Sequence, residues 1–183
     1  IGGVIVVLAL LFAIKGLFVA AMVNEFPISR LSVIQELERG SGKVALESLV
    51  VKRLIDNEAD KKSIEISNDE VNAEVANVEA QIKSQGGTLD QALAAQGMTL
   101  ETLKKQIAIQ KKLEALLADK IQVADADKEK FIADNKIKIP KGEETNYNNQ
   151  ITLEIKQQKL NAESKILVDS LKVANTIRYF VSY

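Results

Sequence analysis

The 183-residue chain contains no cysteine and no histidine, two prolines, and only 4% aromatic residues. Without thiols there are no disulfides and no thiolate chemistry. Without imidazole there is no histidine acid–base catalysis, and the usual zinc sites are excluded as well. The missing cysteine places the chain in neither redox compartment, but it rules out a lipid anchor on an N-terminal Cys. Scarce aromatics leave Leu, Ile, Val and Ala to fill the core, which favours helices over an aromatic-rich β-sandwich. Neither charge sign prevails, with 24 Lys and Arg against 25 Asp and Glu. No basic stripe interleaved with aromatics is present, so nucleic acid is not an expected partner. The length suits one domain with a real core.

What the chain does have is a long apolar opening. Residues 1–23, IGGVIVVLALLFAIKGLFVAAMV, are interrupted only by Lys15. As a helix they would reach about 34 Å, enough for a hydrocarbon core of about 30 Å. Lys15 would cost about 2.5–3.5 kcal/mol at mid-membrane, and less if its ammonium reaches an interface. Two readings follow: an uncleaved membrane anchor, or a signal peptide with a small-residue site near Val19–Ala21. Either places the remainder outside the cytoplasm, and the anchor is the expectation.

Beyond Pro27, Ser29 is a suitable N-cap for a short helix carrying Leu31, Ile34 and Leu37. RGSG (39–42) is expected to end it in a left-handed turn. Residues 43–62 resume helical spacing with Leu46, Val50 and Leu54. Ser67 and Glu70 form a capping-box pattern ahead of Val71, Val75, Val78 and Ile82, which share one face. Thr88 with Gln91, and then Thr99, open two further helices, with Gly86–Gly87 and Gly97 between them. A short helix, DADKEKFIADNK, precedes the polar stretch IPKGEETNYNNQ (139–150). Residues 150–174 then read as one long helix in which Leu153, Leu160 and Leu167 repeat every seven, a weak coiled-coil seam. The tail TIRYFVSY reads as a strand, and its expected partner is the extended piece near Met22–Phe26.

No catalytic constellation emerges. There is no phosphate-cradling glycine loop, no serine nucleophile with a base and no metal-ligand cluster. Asp125, Asp127 and Glu129 lack the glycine and terminal glutamate of a calcium loop, and read as a negative first helical turn. No cofactor or metal is expected. The apolar residues Leu89, Leu93, Met98, Leu100 and Leu103 around the central turn form either ordinary core or a contact surface, where a flexible Met suits varied partners.

Four blocks, in order, resemble the SurA/PrsA-type extracytoplasmic chaperones. They are VNEFPISR, then ALESLVVKRLIDNEADKKSIEISNDEV, then GGTLDQALAAQGMTLETLKKQIAIQKKLEALL, and last EIKQQKLNAESKILVDSLKVANTIRYF. Three departures stand out: Glu25 at a turn that usually has Gly, Ala124 at a cap where Ser or Thr is expected, and Leu167 where relatives often carry Trp. Many relatives also insert a parvulin-type prolyl isomerase domain where this chain has only the stretch around IPKGEETNYNN. Parvulin sites rely on histidines, so the resemblance implies the chaperone part without the enzyme.

The resemblance implies a mainly α architecture. A SurA-N-like helical body (24–183) would divide into an N-terminal part (24–136), a connector (137–149), and a closing helix with strand (150–183). The two chain ends would pair in a small two-stranded sheet, preceded by the transmembrane or signal helix (1–23). The function implied is an ATP-independent, membrane-tethered holdase for unfolded exported polypeptides, with Leu89, Leu93, Met98 and Leu100 as client contacts and with a possible homodimer. The alternative is a helical scaffold docking one specific partner.

Overall fold

The computed structural model describes residues 18–140 and 142–183. The chain forms two units, residues 18–50 with Arg178–Tyr183, and Val51–Ile177. In the first unit a hairpin pairs β1 (Val19–Val23) antiparallel with β2 (Phe26–Ser29), setting Val23 opposite Phe26 and Met22 opposite Pro27. Asn24 and Glu25 make the two-residue turn, with φ of 44° and 69°. This left-handed pair matches the twist of the strands it joins. The turn therefore survives the departure at Glu25, at the strain a side chain brings to that region, about 1–2 kcal/mol.

That hairpin corrects two expectations. Val19–Val23 is strand, so the apolar helix does not extend through residue 23; residues 1–17, which carry the rest of that expectation, lie outside the described residues. No helix among the described residues is long and apolar enough to cross a membrane. The expected pairing of chain ends is also replaced, because β1 finds its partner three residues away. A local turn closes far more cheaply than a contact across the whole chain. The tail forms no ladder. It docks by side chains, with Tyr179 Oη donating to Glu47 Oε1 (3.0 Å) and Tyr183 Oη to Glu38 Oε1 (3.4 Å). Partial burial and the Glu38 carboxylate push the Tyr183 phenol above its ordinary range.

Helix α1 (Arg30–Leu37) starts as its sequence dictates, Ser29 Oγ accepting from Ser32 N at 3.0 Å. RGSG does not end it. Glu38–Gly42 is a wide π-type turn with right-handed backbone, leading directly into α2 (Lys43–Lys61). Such a turn absorbs an extra residue without stopping the helix. Gly42 is needed for space instead, because a Cβ there would lie 2.8 Å from the Tyr183 ring.

The second unit holds the rest of α2, then α3 (Asn68–Ser84), α4 (Leu89–Ala95), α5 (Leu100–Leu116), α6 (Asp125–Asp134) and α7 (Glu144–Ala174). Ser67 and Glu70 complete the capping box of α3, so two backbone donors at the helix start are satisfied. The Ser67 N–H, and then its hydroxyl, hold the Glu70 carboxyl below its ordinary range. Thr88 and Thr99 cap α4 and α5, and Gly86 and Gly97 take the left-handed positions behind α3 and α4.

At α6 the N-cap is Ala124, which has no side-chain acceptor. Only the return half of a box remains, Ala124 N donating to Asp127 Oδ2 at 2.9 Å. Restoring the missing half with Ala124→Ser is expected to stabilise the protein by about 1 kcal/mol, read as a rise in the chemical-denaturation midpoint at unchanged slope.

Helix α7 begins six residues earlier than the apolar pattern suggests, because ETNYNN supplies exposed first turns rather than a loop. The connector is thus residues 135–143, not 137–149. Every fully buried apolar residue among those described belongs to this second unit. Leu117, Ile121 and Leu160 form its central cluster, with Leu113 and Leu167 packed against them. The leucines expected as a coiled-coil seam are therefore divided: Leu160 and Leu167 serve the protein's own core.

Candidate functional site

Helices α3, α5 and α7 enclose an open cleft of about 820 Å³ in the second unit. Its apolar floor is Ile107 on α5 and Leu160 on α7, both buried, and Leu153 stands at its edge 67% exposed. Carboxamides line the walls: Gln81 from α3, Gln110 from α5, Gln150 and Gln157 from α7. Two stay near their own helices, Gln110 Nε2 donating to Glu114 Oε1 (3.2 Å) and Gln157 Nε2 to Asn161 Oδ1 (3.1 Å).

Charge in the cleft is mostly cancelled where helices meet. Lys111 pairs with Glu74 at 3.5 Å across α5 and α3, and Lys156 with Glu114 at 3.3 Å across α7 and α5. Partly exposed pairs of this kind stabilise little, so their main consequence is to hold the walls without presenting a strong field. The arrangement offers apolar contact and uncharged hydrogen-bonding groups.

The four residues expected to meet a partner differ in exposure. Leu93 on α4 is 8% exposed and belongs to the core; of the set it has the least surface left to offer. Leu89 and Met98 are half-buried, and Leu100, at the start of α5, is 43% exposed. Sequence spacing placed all four on one stripe, but a seven-residue helix gives only Leu93 to the interior. The cleft residues were not singled out from the sequence because they come from three helices far apart along the chain. Their signal was there: Gln150 and Gln157 stand three and four residues from Leu153, on its face of the helix.

The acidic run on α6 is engaged in structure. Asp127 Oδ2 accepts from Lys159 Nζ at 2.6 Å, and Lys159 also donates to the Gln122 carbonyl at 2.8 Å. The Lys159 ammonium, then the Ala124 N–H, hold the Asp127 carboxyl below its ordinary value. Asp125 pairs with Lys128. Among the described residues no cluster of three metal-ligating side chains forms.

The first unit is the opposite of a cleft. None of its described residues is fully buried, yet it carries Phe18, Met22, Phe26, Leu31, Leu37 and Phe180 largely in water. Apolar surface of this extent, without chemistry-bearing side chains, marks a contact surface.

The described residues are mainly helical, with a small hairpin-bearing unit and an open cleft in the other. Residues 29–117 match the family model described as the SurA-like N-terminal domain. The family suggests a chaperone-like role. No curated protein and no solved structure matches the chain.

Proposed function

We propose that the protein is an ATP-independent chaperone that holds unfolded exported polypeptides, tethered to a membrane by its apolar N-terminal run. The observation that carries this reading is the cleft between α3, α5 and α7, left open in a chain with a SurA-like N-terminal domain. Its apolar floor takes client side chains while the carboxamides on its walls pair with client backbone amides, whatever the client's sequence. Each client side chain buried contributes about 1.5–3 kcal/mol before ordering costs, so binding is weak per contact and gains from several contacts. Leu89, Met98 and Leu100 extend the contact surface around the α4–α5 turn.

Release follows when the client folds and withdraws its apolar surface, and no nucleotide is required. The reading is non-enzymatic: nine residues separate α6 from α7, whereas a domain needs about 50 or more. The histidines of a parvulin site are absent. The soluble part lies on the extracytoplasmic side, and pairing of two copies would enlarge the holding surface.

The test is suppression of aggregation of several unrelated unfolded substrates. Leu153→Glu combined with Leu100→Glu is expected to raise the amount of chaperone needed for half-suppression several-fold while leaving the melting temperature unchanged. Both side chains are exposed, so stability has little to lose. If the unaltered chain suppresses none of the substrates at stoichiometric amounts, the proposal fails. The exposed first unit favours a second reading, a scaffold for one specific partner. That reading predicts a single tight binder and no general suppression.

A further inference from the structure

We infer that the first unit lies on a lipid surface, with the β1–β2 hairpin and the C-terminal tail in contact with the acyl boundary. Phe18, Phe26 and Phe180 are 67%, 77% and 91% exposed. At about 150–250 Å² for a full aromatic side chain, these three alone leave roughly 350–590 Å² of apolar surface in water. Shared between the hairpin and the tail, that area equals in amount the largest patch of a typical monomer, about 300–600 Å², before any aliphatic residue is counted. A two-stranded hairpin with no third strand also needs a cover, and none of the hairpin's residues is buried.

The sequence says what the cover is. Residues 1–17 carry one charge, Lys15, and end directly at Phe18, where the exposed residues begin. The apolar run is continuous with Phe18, Met22, Val23 and Phe26, so a bilayer that takes the run lies next to the exposed hairpin.

Composition agrees with an interfacial position. Tyr179 and Tyr183 keep their hydroxyls on Glu47 and Glu38 while their rings stay half exposed, the amphipathic placement of membrane-interface aromatics. Glu25, Glu36, Glu38 and Glu47 are balanced by Arg30, Arg39, Lys43 and Arg178. Contact is therefore apolar and indifferent to lipid charge. The inference rests on the tether reading for its geometry, and extends the lipid contact to a part of the chain that is not apolar throughout.

The chain has no tryptophan, so a single one reports its own surroundings. Full-length Phe26→Trp, and separately Phe180→Trp, would be incorporated into phosphatidylcholine vesicles carrying bromine on the acyl chains, with Leu100→Trp as reference. Vesicle flotation reports the tether, and Trp emission reports the contact. The expected result is blue-shifted emission from positions 26 and 180, quenched more by shallow bromine than by deep bromine, with position 100 unquenched. A chain that floats while positions 26 and 180 stay unquenched overturns the inference and leaves the tether standing. A chain that does not float overturns both. A blue shift that grows with protein concentration in the absence of lipid assigns the surface to a second copy and likewise overturns it. Circular dichroism that matches the unaltered chain establishes that each variant is folded.

Discussion

A chain ended at residue 143 is expected to lose cooperative unfolding. Helix α7 supplies Ile151, Ile155, Leu160 and Leu171 to the interior of the second unit. At about 1.5–3 kcal/mol for each fully buried side chain, these four account for roughly 6–12 kcal/mol. That is comparable to the whole stability of a typical domain, about 5–15 kcal/mol. Losing the helix also uncovers Leu117 and Ile121, which pack against Leu160. Helices α3 and α5 have caps of their own, so the truncated chain should keep much of its helical circular dichroism. It should also bind an apolar dye and unfold without a sigmoidal transition, as states that have lost specific packing do. A truncated chain with a sharp transition near that of the full chain would show that the part before α7 is self-sufficient.

The second large effect is expected from Leu160→Ala. Leu160 is 5% exposed and touches the core on one side and the cleft floor on the other. The transfer loss and the cavity together should destabilise by about 2–5 kcal/mol. The lower half of that range applies if the cleft collapses into the space, the upper half if it does not. Chemical denaturation measures the loss; Leu153→Ala is the control. Leu153 lies two turns before Leu160 on the same face, but at the exposed cleft edge, and should cost little in stability, within about 0.5 kcal/mol. Equal losses at the two positions would mean that Leu153 is packed, and the cleft would not be open where the chaperone reading needs it.

Most of the helical order was legible from local chemistry. Ser67 with Glu70, Thr88, Thr99, Gly86 and Gly97 act over one helical turn, and their hydrogen bonds do not depend on what the rest of the chain does. The same locality explains the errors. RGSG was read as a stop because glycine permits a left-handed turn, but permission is not requirement, and the Tyr183 ring needed the space at Gly42. ETNYNN was read as a connector because it is polar, although a polar first turn exposed on all sides is as good a helix as an apolar one is a core. The tail TIRYFVSY has strand composition and forms no strand, because β1 was already paired by a two-residue turn.

The sequence by itself determined most of the helices, their caps and the match of residues 29–117 to the SurA-like N-terminal domain, since each depends on residue type and short spacing. Tertiary structure alone decided which apolar residues are core and which are surface. Leu93 and Leu160 went inside, while Leu153, Phe26 and Phe180 stayed in water, although all five are equally apolar in the sequence. The physical reason is that burial belongs to the packing of several helices at once. Hydrophobicity gives each side chain the same tendency to leave water, and only the arrangement of its neighbours determines whether there is somewhere to go.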